Sequence, residues 1–454
     1  MPTAGILENC LVVFRLNSSD KKRISLDRNV KRLEIKHLWD IESKGNLSDL
    51  TFLESKYFPE NVILVKTNST DHESLVSMHK QVGPGERSTI LHFQHSFDRC
   101  LFGKDECSVD GEGNPIEVLN PENFQPLETG INEGKTKEIV IAVLDTGIDP
   151  ELIPEEYLWV DPDAPKVESY LENLANGVYG RNFVADTEST AKEIDGRMVM
   201  GDPENLAIKD DHPLLHGTMM CAYIINQFRH SEYAVKIMCL KTHRADGTGS
   251  LDDVYRAINY ARYHGATFIN ASWAFPAREV ESYSILKDVI QHDLSDSGTL
   301  FVTVAGNRDV NSPDQHYYPA KFRSKSAGLR MGVMVAATVS KDKTEVSTSE
   351  MSNNLYVDFG VPCDKETSAG FLFELPLNAK SGQKYYQQGS SIAAAITTGF
   401  LASVFPEPLI ENNILRNKLG ILEYDENNSF SRYPELTGGI IGGRVLNTAT
   451  QKGS

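Results

Sequence analysis

The chain is short of the features that mark several protein classes. Of its 454 residues, 6 are cysteine and 3 are tryptophan. Basic residues are outnumbered, 45 against 63 acidic ones, for a formal charge of −18. No stretch approaches the roughly 18 to 20 uninterrupted apolar residues that a membrane-spanning helix needs, so no membrane segment is expected. A surface this acidic repels phosphate backbones unless a basic patch offsets it. No Lys/Arg run supplies one, and nucleic-acid binding is not expected. Cys10, Cys100, Cys107, Cys221, Cys239 and Cys363 are scattered, with no C-x-x-C pair and no histidine at zinc-ligand spacing. A structural metal site is therefore not expected. The first residues lack the positive n-region of a secretory signal, and the apolar run from Cys10 stops at Arg15. Reduced thiols and a cytoplasmic setting are the expectation.

What is present falls into three zones. Residues 1–103 alternate apolar runs with charged, helix-like stretches and read as a small α+β domain. Cys10–Leu16, Asn61–Lys66 and Thr89–Phe93 read as strands, and Asp71–Gln81 as a helix. Residues 104–135 carry Gly111, Gly113, Pro115, Pro121, Pro126, Gly130 and Gly134 among polar neighbours, which is linker chemistry. From 136 to 454 the text is α/β. KEIVIAVLD, KIMCL, TFINAS, LFVTVAGN and GVMVAAT are apolar, β-branched runs of the kind that form buried parallel strands. Helical patterns lie between them. In LDDVYRAINYARYHG, Leu251, Val254, Ile258 and Ala261 share one face and Gly265 ends the helix. Strands alternating with helices imply right-handed crossovers and a mainly parallel sheet flanked by helices.

Catalytic groups in such a sheet sit at the carboxyl ends of strands. Asp145-Thr146-Gly147 follows the first strand of this zone. His216-Gly217-Thr218 precedes the helical run MMCAYIINQF. Asn307 follows LFVTVAG, and Gly389-Ser390-Ser391 opens the helical run IAAAITTGFLASVF. A serine hydroxyl is a weak nucleophile. It needs a base within hydrogen-bond reach, and the base needs an orienting carboxylate. A tetrahedral oxyanion needs preorganised donors, which the Asn307 amide and the Ser391 N–H would supply. Taken singly, each group has an ordinary reading. Asp145 could be a turn carboxylate, His216 a packed histidine, Asn307 a strand terminator and Ser391 a helix cap. All four arriving in order at strand ends is hard to reconcile with coincidence.

These segments resemble the subtilase family. DTGID looks like its aspartate motif, HGTMMCA its histidine motif, VAGN its oxyanion-asparagine motif and GSSIAAA its serine motif. GGRVLNTA (442–449) looks like the family's usual domain end. The resemblance covers roughly residues 136–450. It implies a serine endopeptidase with a seven-stranded parallel-sheet core that acts on protein or peptide substrates and requires no cofactor. It also implies that substrate adds as a strand beside Gly247-Thr248-Gly249 and Ser272-Trp273-Ala274. The chain departs from the pattern at several places. Met219, Cys221 and Ala222 replace the commoner His, Ala and Gly, and Ala395 stands where proline is usual. Cys221 beside the histidine would make thiol reagents inhibitory. The stretch after His216 is shorter than in secreted members, so their calcium loop is not carried over. Ala274 and Phe275 replace two glycines, Tyr317 falls where a small residue often opens the first specificity pocket, and Arg308 falls at its floor. A shallow or cationic pocket is expected, disfavouring large basic P1 residues. The acidic stretch 149–215 reads as a solvated rim. Residues 1–103 have three readings: an autoinhibitory pro-region, a domain binding a regulatory protein partner, or an appendage. The competing function is a catalytically silent adaptor on a protease fold.

Overall fold

The computed structural model describes residues 10–16, 50–53, 57–59, 62–67, 89–95, 99–101, 108–184, 191–194, 197–200, 207–277, 284–294, 297–307, 316–323, 333–350, 356–368, 370–405 and 430–448. In the first zone, β1 (Cys10–Leu16), β2 (Leu50–Leu53), β3 (Val62–Thr67) and β4 (Thr89–His95) form an antiparallel sheet in the order β2-β3-β1-β4. The three strands read from sequence in this zone are present. The helix expected over 71–81 lies outside the described residues. Next come β5 (Arg99–Leu101) and β6 (Ser108–Asp110).

The second sheet positions the chemistry. Its strands are β7 (Lys137–Asp145), β8 (Gly180–Asn182), β9 (Tyr233–Lys241), β11 (Phe268–Ala271), β13 (Leu300–Val304), β15 (Val333–Val339), β16 (Phe359–Pro362), β18 (Phe430–Arg432) and β19 (Arg444–Leu446). Three others lie outside it: β10 (Thr248–Ser250), β12 (Phe275–Ala277) and β14 (His316–Tyr318). So does β17 (Tyr385–Gln387), which pairs with β6. The large sheet runs β18-β19-β16-β15-β13-β11-β7-β9-β8, and every pair is parallel except the edge pair β18–β19. It has nine strands rather than the expected seven. Short strands extend both edges; three of them, β8, β18 and β19, have three residues each, too few for a periodic signal in sequence.

Side chains along a strand alternate between faces. Ile139, Ile141 and Val143 of β7 join one core cluster, and Ala142 and Leu144 join the other. On the first face lie α1 (His216–Asn226) and α3 (Ser390–Val404); on the second lies α2 (Leu251–Tyr263). This is a three-layer α/β sandwich. Helices α1 and α3 are buried nearly all round, as expected of central helices. They touch at Gly399, where a Cβ would come within 2.6 Å of the Ile224 carbonyl oxygen. Helix α2 is amphipathic and starts on Ser250, whose side chain accepts from the Asp253 N–H.

The stretch read as linker has a different look in space from residue 108 onward. Leu119, Phe124, Leu127 and Ile131 are buried in the first core cluster. The Leu119 N–H donates to the Pro213 carbonyl and the Gln125 N–H to the Asn378 carbonyl. The glycines and prolines serve the turns of a packed arm, and four apolar residues with neither a helical nor a strand period gave no warning of burial. Tyr57 and Phe58 pack on the opposite face, against Tyr260 and Tyr255 of α2. A buried ion pair closes the far side of the sheet. Asp161 accepts from Arg181 at 3.2 Å and also from the Tyr260 hydroxyl.

Candidate active site

The aspartate and histidine motifs interlock through their glycines. Asp145 is the last residue of β7, and the chain turns there through Thr146-Gly147. Gly147 has φ +120°, and a Cβ on it would lie 2.5 Å from the Ile208 carbonyl oxygen. Gly217 packs onto this turn. A Cβ there would lie 2.3 Å from the Gly147 carbonyl oxygen and 3.2 Å from Asp145 Cβ. The Gly217 N–H donates to Thr146 Oγ1 at 2.9 Å. The result is a 2.7 Å contact between His216 Nδ1 and Asp145 Oδ1, an oxygen that also accepts from the Thr146 N–H at 2.8 Å. Committing Nδ1 to a carboxylate turns Nε2 into the basic face of the ring.

Helix α1 begins on His216 without a local side-chain cap. Leu215 before it holds a left-handed conformation at φ 50°, a position that strains a branched residue. The cap comes from a separate loop. Asp210 Oδ2 accepts from the Thr218 N–H at 2.9 Å and from its hydroxyl at 2.7 Å. Thr218 Oγ1 in turn accepts from the Asp149 N–H. Sequence reading missed Asp210, because an eight-residue separation from Thr218 carries no capping signature.

Ser391 is the second residue of α3, where a developing negative charge faces the positive end of the helix. Its hydroxyl donates to the Ser272 carbonyl at 3.1 Å, and the Ser272 hydroxyl donates to the Ser391 carbonyl at 2.8 Å. Asn270 Nδ2 donates to Ser272 Oγ, and the Thr398 hydroxyl donates to Asn270 Oδ1. This buried ladder ties the serine helix to the end of β11. Asn307 lies past the end of β13. Its Oδ1 accepts from the Ser390 N–H at 3.1 Å and from the Ser390 hydroxyl at 2.9 Å. Fixing the amide oxygen this way turns the amide nitrogen outward as a donor. A carboxylate-oriented imidazole, a helix-start serine and a fixed amide donor are the equipment of acyl transfer.

The four groups are closed to solvent. Relative exposure is 1% for Asp145, 4% for His216, 2% for Ser391 and 7% for Asn307. β5 lies antiparallel on β10, with Leu101 opposite Thr248, Cys100 opposite Gly249 and Arg99 opposite Ser250. A small cavity beside His216 is lined by Ser108, Leu214, Met220, Gln387, Gln388 and Ile392. Ser108, from the segment after position 104, thus sits beside His216.

Other expected residues separate into groups. Gly247, just before β10, and Gly249 on it are buried, and Thr248 is half-buried. Gly249 admits no side chain, because a Cβ would meet the His243 ring at 2.7 Å. Burial, and next the charge of His216, holds His243 well below the ordinary histidine range, so it underlies β10 as a neutral ring. Trp273 turns its side chain into the core, donating Nε1–H to the Leu144 carbonyl and packing on Phe275 and Phe301. Ala274 is buried in a cluster with Val304 and Ala394, and Tyr317 packs against it. Arg308 lies outside the described residues.

Cys221 departs from expectation. It is fully buried, and burial pushes its thiol well above the usual range, as it does for Cys239. A protonated, inaccessible thiol is inert. Treating the folded enzyme with iodoacetamide is therefore expected to leave turnover unchanged; loss of activity with alkylation mapped to Cys221 would contradict this. Among the described residues, Asp161, Asp163 and His264 offer metal-ligand atoms within 4.8 Å of one another. The buried Asp161 carboxylate of that group is already engaged by Arg181 and Tyr260. No helix among the described residues is long and apolar enough to cross a membrane.

Solved structures with this fold include the epidermin leader peptide processing serine protease of Staphylococcus aureus. It is 15% identical, the match covers 97% of this chain and 96% of that one, and the TM-score is 0.50. The S393A mutant of the same enzyme gives 14% identity, 97% coverage of each chain and a TM-score of 0.52. The A-subunit of an AB5 toxin from E. coli is 22% identical over 68% of this chain and 90% of that one, with a TM-score of 0.43. No curated protein matches the chain significantly in sequence. The sequence model of the subtilase family matches residues 136–411, more than half of the chain. The chain therefore belongs to the subtilase family, a family of serine endopeptidases.

Proposed function

We propose that the chain hydrolyses peptide bonds through a Ser391–His216–Asp145 triad and an acyl-enzyme intermediate. His216 Nε2 takes the Ser391 proton as the hydroxyl attacks the scissile carbonyl, then delivers it to the leaving amine. Asp145 holds the imidazole in orientation and stabilises the imidazolium. The Asn307 amide and the Ser391 N–H receive the oxyanion. Water then attacks the acyl-enzyme with His216 again as base. No cofactor enters these steps. The observation that carries this reading is the 2.7 Å Asp145–His216 contact, built from two interlocked glycine turns.

Peptidases of this kind take substrate as an added strand, and β5 already occupies β10 in antiparallel register. Residues 1–103 then act as an autoinhibitory segment that fills the cleft until the chain is cut, and the near-complete burial of the four catalytic groups supports it. Residues 108–135 belong with the peptidase in this scheme, because they supply core side chains. Ala274 and Tyr317 crowd the first specificity pocket. Buried thiols at Cys221, Cys239 and Cys363 fit a reducing, cytoplasmic setting.

A fluorophosphonate probe and intact-mass analysis of the purified full chain test both parts. Labelling at Ser391 and a self-cleavage product cut between 101 and 108 are the expected results. A chain that stays unlabelled even after limited proteolysis between 101 and 108 behaves as an adaptor and sinks the protease reading. A chain that stays full length yet labels fully removes the autoinhibitory part alone.

A further inference from the structure

In the triad scheme proposed above, a scissile carbonyl held between Ser391 Oγ and the Asn307 amide would place its P1 side chain beside the Gly306-Asn307 backbone. That space has an occupant. β12 and β14 pair antiparallel, with Pro276 opposite Tyr317. This pairing delivers the Tyr317 ring onto Gly306, the residue immediately before Asn307. A Cβ on Gly306 would lie 2.5 Å from Tyr317 Cγ and 2.6 Å from Cδ2, so the ring rests directly on the Gly306 backbone. Gly306 also holds φ +93°, which keeps a side chain from competing for the position. Around the ring, Ala274, Val304 and Ala394 form a small apolar cluster of their own. Ala394 is one turn along α3 from Ser391, so this cluster lies directly against the nucleophile's helix.

From this packing we infer that Tyr317 fills the S1 pocket and restricts the enzyme to glycine at P1, with alanine a poor second. The inference rests on the triad reading above and specifies its substrate class. A pocket occupied by the protein's own ring cannot also take a P1 side chain. Interiors are close-packed, and added methylenes are felt at once. Even one methylene in a hydrophobic pocket shifts selectivity about 10- to 200-fold. The chain's own sequence is consistent with this restriction. Phe102-Gly103-Lys104-Asp105-Glu106-Cys107 joins β5 to β6, and Gly103 is the one residue among the six without a side chain. Self-cleavage is then expected after Gly103, leaving Lys104 as the new N-terminus.

The test uses the full chain, a peptide series varied only at P1, and N-terminal sequencing of any self-cleaved product. Fluorophosphonate labelling of Ser391 is run on the same samples. Expected results are at least about a tenfold preference for Gly over Leu, Phe and Arg, and a product beginning at Lys104. Tyr317→Gly is expected to shift the preference toward Leu and Phe, whereas Tyr317→Phe keeps it on Gly. A labelled wild type that prefers Leu, Phe or Arg overturns the inference and leaves the protease reading standing. So does a labelled, folded Tyr317→Gly with an unchanged profile. A wild type that stays unlabelled and inactive after limited proteolysis between 101 and 108 removes the protease reading itself, and the inference falls with it. Should Tyr317→Gly not fold by circular dichroism, the wild-type profile and the product N-terminus still decide.

Discussion

Ser391→Ala is expected to stop peptide hydrolysis, with kcat falling by about 10⁶, while the fold survives. The hydroxyl is the nucleophile in the proposed scheme, and no neighbouring group can replace it. Residues around it then retain only the oxyanion donors and binding contacts, which typically leave about 10³- to 10⁴-fold acceleration over water. The structural cost is small by comparison. The hydroxyl donates to the Ser272 carbonyl, while the Ser272 hydroxyl's bond to the Ser391 carbonyl is backbone-directed and persists in alanine. Losing one such bond costs about 1 kcal/mol. The measurements are peptide turnover, circular dichroism and intact mass. The variant is expected to stay full length under conditions that cut the wild type. Turnover equal to wild type would end the assignment of Ser391. A silent scaffold would show wild type and variant equally inert and equally uncut.

The parts of this site that were legible in sequence are those that local chemistry marks. Asp145, His216, Asn307 and Ser391 stand where apolar β-branched runs stop or helical runs begin, and each brings its own short motif. Five strands of the large sheet, β7, β9, β11, β13 and β15, were legible for the same reason, being buried apolar runs. What was not legible depends on residues far apart in the chain. β5 is three residues, Arg-Cys-Leu, and nothing in them announces a partner 147 to 151 positions away at Thr248–Ser250. Asp210 caps α1 from another loop, and Asn270 reaches Ser391 through Ser272. Tyr317 was legible as a bulky residue in the wrong place. The way it lies on Gly306 required the β12–β14 pairing, which joins segments about 40 residues apart. The arm at 108–135 misled in the opposite direction, since its turn residues are real but its four core residues follow no period.

Asp145→Asn separates the electronic role of the aspartate from its steric one. The replacement is isosteric and the site is buried, so the interlocked turns at Gly147 and Gly217 keep their contacts. The wild-type Oδ1 accepts from the Thr146 N–H and faces His216 Nδ1. An asparagine can do one of two things there. If its oxygen takes that place, the geometry holds but the negative charge that stabilises the imidazolium is gone. If its NH₂ faces the ring, Nδ1 must accept, the proton moves to Nε2, and the basic face is lost. Either outcome disables the base without moving it. The expected result is a fall of about 10⁴ in kcat with KM little changed. Self-cleavage slows in parallel, so full-length chain accumulates. The thermal midpoint is expected to hold within a few degrees, because removing a buried charge relieves desolvation as it removes the pairing. Retention of turnover within tenfold of wild type would mean that His216 does not depend on Asp145, and the triad would need a different orienting group. Loss of fold along with activity would instead make Asp145 a structural keystone of the two turns, a role the isosteric change is designed to leave untouched.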